Sequence, residues 1–155
     1  MKLTERQELL KSLLAAAGGE IVGRTKLHKL AYLCQVAGGN LGQDFTYHLY
    51  GPFSASLQAD LSRAVDWGLV EERQGPGRCI TTRLVEDVKE PSNQGPGWNL
   101  VEQLSETDSA VLEVLATIVY LHRKGYLDGE LEKKLADLKG HLSEHWHQAL
   151  RLAQE

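Results

Sequence analysis

Apolar residues recur at intervals of three and four along several segments of this chain, which is the spacing of an amphipathic helix. The first repeat joins Leu9, Leu10, Leu13 and Leu14, and it ends at the glycine pair 18–19. Two consecutive glycines favour the end of a helix because the backbone there can turn left-handed. The pattern therefore predicts a first helix that closes just before residue 18.

The second helical repeat opens near Thr25 and stops at the glycines of 38–39. Leu27, Leu30 and Cys34 lie on one face of this segment, and Leu33 widens that face. Apolar side chains over so much of the circumference are typical of a helix that is covered on several sides. We predict that this helix lies at the centre of the core.

Residues 45–50 alternate between apolar and polar side chains, which is the period of a short strand. The pair 51–52, Gly-Pro, ends the alternation because proline has no backbone donor. Ser54 then caps a third helix by accepting a backbone N–H. Further on, two β-prone runs flank the residues Gln-Gly-Pro-Gly, which predicts a β-hairpin over 69–84.

The predicted order is helix, helix, short strand, helix and hairpin, which is the element order of a winged helix. In that fold the third helix is the recognition helix and the hairpin is the wing. The chain of 155 residues reads as a single α+β, mostly helical domain. A winged-helix-like core spans 1–85, a Gly/Pro-rich loop spans 86–99, and a helical extension spans 100–155.

Two stretches resemble a known family when they are taken together. One is GRTKLHKLAYLCQ at 23–35, and the other is FTYHLYGPFSASLQADL at 45–61, which is followed by DWGLVEE at 66–72. They resemble the YwgA family of small bacterial and archaeal proteins, and they are more distantly similar to the SocA/Panacea group, which includes antitoxins and a proteolytic adaptor. The resemblance implies a non-catalytic interaction or regulatory protein that acts on a protein partner such as a toxin, in an antitoxin-like or mobile-element setting.

The turn after the first strand is one candidate surface for that partner. Tyr50 and Phe53 flank Pro52, and the two aromatic rings either clamp the turn against the core or form an exposed recognition surface. Both interpretations stay open at the level of sequence.

A second candidate surface lies at the start of the second helix. Arg24, Lys26 and Lys29 follow one another there, together with His28. The partial positive charge of a helix N-terminus would help such residues bind an acidic partner or a phosphate. The alternative is a solvated helix face without a ligand.

DNA binding is the alternative function. The third helix would turn outward the residues Ser54, Ser56, Gln58, Asp60, Arg63 and Asp66. Of these, Gln58 and Arg63 are able to read base edges. The wing would add the arginines Arg73, Arg78 and Arg83. The helix carries one arginine against two aspartates, which disfavours the phosphate contacts that dominate DNA affinity.

The charge of the chain also bears on its partners. The net charge is −4, divided into +2 over residues 1–83 and −6 over residues 84–155. A polyanion would therefore bind to the first half of the chain. The acidic, amphipathic helices of the second half predict either an interface for a homodimer or a simple cover for the core.

No motif assembles a catalytic centre, and we expect neither an enzyme nor a cofactor. His141 and His145 are four residues apart and His147 follows, but the glutamate between them is displaced from the metalloprotease pattern. Cys34 and Cys79 form neither a disulfide framework nor a metal motif. No segment has the apolar length of a signal peptide or a membrane span, so we expect a cytoplasmic protein.

Overall fold

The computed structural model describes residues 2–48, 51–86 and 95–153, without the side chain of Arg78. The helices are α1 (Leu3–Ala16), α2 (Arg24–Cys34), α3 (Ala55–Asp66), α4 (Pro96–Leu104), α5 (Ser109–Arg123), α6 (Asp128–Lys139) and α7 (Trp146–Ala153). The strands are β1 (Glu20–Val22), β2 (Thr46–His48), β3 (Gly51–Phe53), β4 (Val70–Gln74) and β5 (Ile80–Leu84). The fold is α+β and mostly helical, as the sequence predicts.

Helix α2 is central to the core. Its eight consecutive residues from Leu27 to Cys34 are all buried. The helix packs against α4, α5 and β3, which cover it on different sides. The wide apolar face in the sequence thus correctly predicts a helix that is enclosed rather than one that lies on the surface.

Three strands form an antiparallel sheet in the order β1, β5, β4. Strand β5 lies in the middle, with Thr82 opposite Ile21 of β1 and opposite Glu72 of β4. The predicted hairpin over 69–84 is confirmed as β4 and β5. Strand β1 is missing from the sequence prediction because three residues are too few to establish a period of two.

A second, two-stranded hairpin joins β2 to β3, with Thr46 opposite Phe53. Strand β3 contains Gly51 and Pro52, where the sequence predicts only the end of a strand; a two-stranded hairpin has only edge strands, in which proline is tolerated. Gly51 has a φ of 109°, which favours glycine because it has no Cβ to clash. The predicted cap of α3 is confirmed, because the Ser54 hydroxyl oxygen accepts the backbone N–H of Leu57 at 3.1 Å. The hairpin and the cap together fix the angle between β3 and α3.

The C-terminal helices differ in one boundary from the sequence prediction. Helix α4 begins at Pro96, within the stretch 86–99 that the sequence predicts to be a loop; residues 87–94 of that stretch lie outside the described residues. Proline suits the first position of a helix because the N–H it lacks has no partner there. Asp108 caps α5 by accepting the N–H of Ala110 at 2.8 Å.

Helices α6 and α7 pack against α5 within the chain. Leu135 of α6 is 1% exposed and Ala149 of α7 is fully buried. These apolar side chains cover the core of the same chain, which is one of the two roles that the sequence left open. The homodimer stays a prediction.

The thiols of Cys34 and Cys79 are free, and Cys34 is buried while Cys79 is partly exposed. Burial raises the pKa of Cys34 to about 12. A thiol in this state is unreactive at neutral pH because the thiolate is the nucleophile. Within residues 2–48, 51–86 and 95–153, no helix has both the length and the apolar character needed to cross a bilayer.

Substitution of Gly97 by alanine should destabilise the protein. A Cβ at this position would lie 2.4 Å from the carbonyl oxygen of Cys34 and 2.8 Å from the nitrogen of Gly39. Alanine normally favours a helix over glycine by about 1 kcal/mol, but overpacking costs about 1–3 kcal/mol and both contacts are with backbone. We expect urea denaturation to give a net loss of up to about 2 kcal/mol, since the helix preference offsets about 1 kcal/mol of the overpacking cost.

The matched control is Gly129→Ala in α6, where an added Cβ has no neighbour within 4 Å. This variant should keep or slightly raise the free energy of unfolding. Equal free energies of unfolding for the two alanine variants would contradict the close approach of α4 to the end of α2.

Candidate functional site

A cleft of about 500 Å³ lies beside the first turns of α2. It is lined by Arg24, Thr25, His28, His48, Gly51, Pro52, Phe53 and Gln58. These residues come from α2, from the β2–β3 hairpin and from α3. The two sequence stretches that resemble the YwgA family therefore meet in one cleft, which we call the His28 cleft.

Phe53 forms the aromatic wall of the His28 cleft. Its ring stacks on His28, with 4.4 Å between the ring centroids and 18° between the planes. The ring of His48 lies against it as well, at 4.8 Å. Phe53 is half-buried and Pro52 is buried, so the turn is clamped to α2 while Phe53 still borders the cleft. Tyr50, the other aromatic residue predicted here, lies outside the described residues.

His28 is a fixed part of the cleft rather than a free base. Its Nδ1 accepts the backbone N–H of Ser54 at 3.1 Å. The neutral ring therefore carries its proton on Nε2, which donates to Oε1 of Gln58 at 3.2 Å. Both ring nitrogens are occupied, and the ring positions Phe53, Ser54 and Gln58 relative to α2.

The basic cluster of α2 is less exposed than the sequence analysis expects. Arg24 is exposed at the rim of the cleft and pairs with Glu72 of β4. Lys26 is half-buried, and burial lowers its pKa while Asp108 and Glu106 oppose that shift.

Lys29 requires a correction. Its side chain is 3% exposed and faces Glu113 of α5, with 3.6 Å between Nζ and Oε1. Lys29 belongs to the face of α2 that packs against α5, so it cannot take part in an exposed basic surface.

The third helix is not an open reading surface. Ser54 is buried as the helix cap, and Gln58 bonds to His28. Asp60, which the sequence analysis places on the outward face, has no exposed surface. Arg63 is exposed but pairs with Asp60 at 3.0 Å. Of the side chains named for base contact on this helix, Arg63 alone reaches solvent substantially.

The predicted wing carries paired charges. Glu71 of β4 lies 3.8 Å from Arg73 and 3.3 Å from Arg83. The side chain of Arg78 lies outside the described part of the chain. Arg73 and Arg83 therefore share one carboxylate, while the other acid of the strand, Glu72, pairs with Arg24 of α2.

Asp60 is the centre of a polar network that the sequence analysis missed. Its carboxylate accepts bonds from Nε of Arg6 at 2.9 Å and from the side-chain amide of Gln43 at 2.7 Å. Its backbone oxygen accepts the side-chain amide of Gln7 at 2.8 Å. The sequence did contain a signal, because Asp60 is three residues after Leu57 on the buried stripe of α3.

The histidines near the C-terminus lie on the surface or at its edge. His141 is exposed with its Nε2 4.0 Å from Glu113, and His145 faces Glu144 at 3.3 Å. His147 is exposed. The described residues contain no group of three or more His, Cys, Asp or Glu side chains able to hold a metal ion.

Stability should fall in mild acid because of His28. Burial lowers the pKa of His28, and the bond to Gln58 opposes this only in part. The unfolded chain, with a histidine pKa of about 6.5, then binds more protons than the folded chain below that pH. The contribution of the neutral His28 ring to the free energy of unfolding is complete above about pH 6.5, and it is lost as the pH falls through the folded pKa of His28.

Chemical denaturation between pH 7.5 and 5 measures this effect. His28→Asn should weaken the dependence of the unfolding free energy on pH, since the asparagine oxygen can accept the Ser54 N–H without titrating. The control His147→Asn, on an exposed residue, should retain it. An unchanged slope in the His28 variant would contradict a neutral buried ring.

The fold is that of a mostly helical α+β protein with two enclosed helices, α2 and α5, and with the His28 cleft beside α2. No protein-family model matches the sequence. The chain is 26% identical, over an alignment of 168 positions, to the protein titled "Uncharacterized protein YwgA" from Bacillus subtilis (strain 168). The alignment covers 99% of this chain and 96% of that relative. This similarity supports a YwgA-like family, and the link to the SocA/Panacea group stays a prediction.

Proposed function

We propose that this protein is a small non-catalytic interaction module that binds a protein partner through the His28 cleft. The observation that carries the proposal is the composition of the cleft. Phe53, Pro52 and His48 form an apolar and aromatic wall, and Arg24 stands at the rim. Aromatic and arginine residues around a pocket are typical of the few contacts that dominate binding between proteins.

The scaffold that we propose is winged-helix-like. Strand β5 pairs with both β1 and β4, and α2 and α3 lie between β1 and the hairpin in the chain. This order supports a winged-helix-like scaffold. The β2–β3 hairpin, inserted between α2 and α3, supplies the wall of the cleft.

The partner segment that fits the cleft carries an apolar or aromatic side chain next to an acidic one. The apolar side chain would occupy the space beside Phe53, and the carboxylate would replace Glu72 as the partner of Arg24. A cavity of 500 Å³ has the volume to take such an anchor. The distant resemblance to the SocA/Panacea group, whose members include antitoxins, makes a toxin segment of this kind the first natural partner to test.

Two observations favour this role over catalysis and over DNA binding. Both ring nitrogens of His28 are engaged in bonds that hold the cleft together, so the ring is poorly placed to remove a proton from a substrate. The exposed arginines 24, 63, 73 and 83 each face a carboxylate. Arginines that already face a carboxylate release fewer counterions from DNA than free arginines do, which lowers their contribution to DNA affinity.

A peptide-display selection against the immobilised protein tests the proposal. The recovered sequences should share an apolar or aromatic residue beside Asp or Glu. A synthetic peptide of that sequence should bind the wild type and bind Arg24→Ala about tenfold more weakly, which corresponds to about 1.4 kcal/mol. The Arg24 variant should fold normally because an exposed ion pair contributes about 0–1 kcal/mol.

Arg73→Ala is the matched control, since Arg73 is also exposed and paired but lies on the β4–β5 hairpin. It should bind the peptide as the wild type does. Selection of no common sequence, or equal losses in both arginine variants, would remove the cleft as the partner site. Salt-sensitive binding of a DNA duplex that Arg63→Ala abolishes would favour the regulator instead.

A further inference from the structure

A second cavity, of about 460 Å³, lies on the other side of the first turns of α2. Lys29 and Glu113 border it, and the Lys29 side chain is 3% exposed. A buried ammonium group is costly unless oxygen atoms surround it. The cavity therefore borders a buried ammonium group that requires oxygen atoms as partners.

Glu113 meets that need only in part. Its Oε1 lies 3.6 Å from Nζ of Lys29, while its Oε2 lies 3.4 Å from Nζ of Lys139 and 4.0 Å from Nε2 of His141. Direct bonds between an ammonium and a carboxylate are shorter, at about 2.7–2.9 Å. The carboxylate of Glu113 therefore lies near three basic groups, and the ammonium group of Lys29, which carries three N–H donors, also lines the cavity.

The wall of the cavity has a polar end and an apolar side. Thr25 and Ser109 stand in the first turns of α2 and α5, where the helix ends carry partial positive charge. Leu138 and Leu142 line another part of the same wall. A ligand with one anionic group and a short hydrocarbon body matches this division.

We propose that this cavity binds a small monocarboxylate. The carboxylate would lie at Lys29 between Thr25 and Ser109, and the hydrocarbon body would lie against Leu138 and Leu142. Glu113 borders the cavity too, so a multiply charged anion would be repelled. Burial lowers the pKa of Lys29, and a bound carboxylate would favour the charged form and oppose that shift.

Titration of the labelled wild-type protein with hexanoate, followed by amide chemical shifts, tests the proposal without a mutation. Saturable shifts are expected at Thr25, Ser109 and Ala110. Hexanol, which has the same chain length without the charge, and inorganic phosphate at equal ionic strength should not saturate. Equal binding of hexanol would show that the cavity recognises only the hydrocarbon chain and would refute the carboxylate site. Saturation by phosphate alone would also refute it.

Ser109→Asp places a negative charge at the polar end of the cavity and should weaken hexanoate binding at least tenfold. Aspartate is compatible with the first turn of a helix, so α5 should form normally. The control is Ala55→Asp, because Ala55 is the exposed first residue of α3 and also follows a capping residue. Unchanged hexanoate binding in Ser109→Asp, or an equal loss in Ala55→Asp, would refute the site.

Discussion

Glu113→Gln should cost the protein about 3–5 kcal/mol of stability, the range for removing one partner from a buried ion pair. Glu113 is 8% exposed, and the side chains of Lys29 and Lys139 beside it are 3% and 1% exposed. Glutamine keeps the shape of the side chain and removes its charge. The measurement is the free energy of unfolding from urea denaturation at pH 7.

A rescue experiment separates charge from packing. Lys29→Met in the Glu113→Gln background should recover much of the loss, because apolar residues often replace buried ion pairs without cost. Glu102→Gln, on an exposed residue of α4, should change stability by less than about 0.5 kcal/mol. If Glu113→Gln lost only about 0–1 kcal/mol of stability, the value for exposed ion pairs, the carboxylate of Glu113 would not be the group that stabilises the charges of the two lysines.

Asp60→Asn should destabilise the protein by about 2–3 kcal/mol, which is typical for the loss of buried bonds to charged groups. The carboxylate has no exposed surface and joins α1, α3 and the segment before β2 through Arg6, Arg63 and Gln43. The NH₂ group of an asparagine would face the N–H donors of these side chains and could not accept a bond from them. The arginines themselves reach solvent, which keeps the expected loss below that of Glu113→Gln.

Asp66→Asn is the control, since Asp66 is exposed near the end of the same helix. It should leave the urea midpoint almost unchanged. If the two variants behaved alike, the polar network around Asp60 would have no part in holding α1 against α3.

Local patterns were enough to predict the order of most elements. Ser54 before an apolar stripe identifies the start of α3, and the residues Gln-Gly-Pro-Gly identify the β4–β5 hairpin, because caps and turns depend on a few neighbouring residues. Strands β1 and β3 and the start of α4 were not predicted. Each of the two strands has three residues, β3 contains Gly51 and Pro52, and Pro96 is equally typical of a loop and of the first residue of a helix.

The candidate sites depend on contacts between distant parts of the chain, and sequence patterns report those poorly. Periodicity places Lys29 on α2 but does not indicate that Glu113, 84 positions later, will face it. The same holds for His28, whose partners Ser54 and Gln58 come from α3 and its cap. A charged residue inside an apolar stripe, as at Asp60, is the one warning that the sequence gives of a buried network.

Chemical-shift mapping of the display-selected peptide on the wild-type protein is the most direct test of whether the His28 cleft binds the partner. Saturable changes are expected at the amides of His48, Phe53 and Gln58, which border the His28 cleft, with little change on the exposed face of α3 or on the β4–β5 hairpin. Changes concentrated at Arg63 and Arg73, with those cleft amides unaffected, would refute a binding site in the cleft and move the binding surface to the elements that a winged helix uses for DNA.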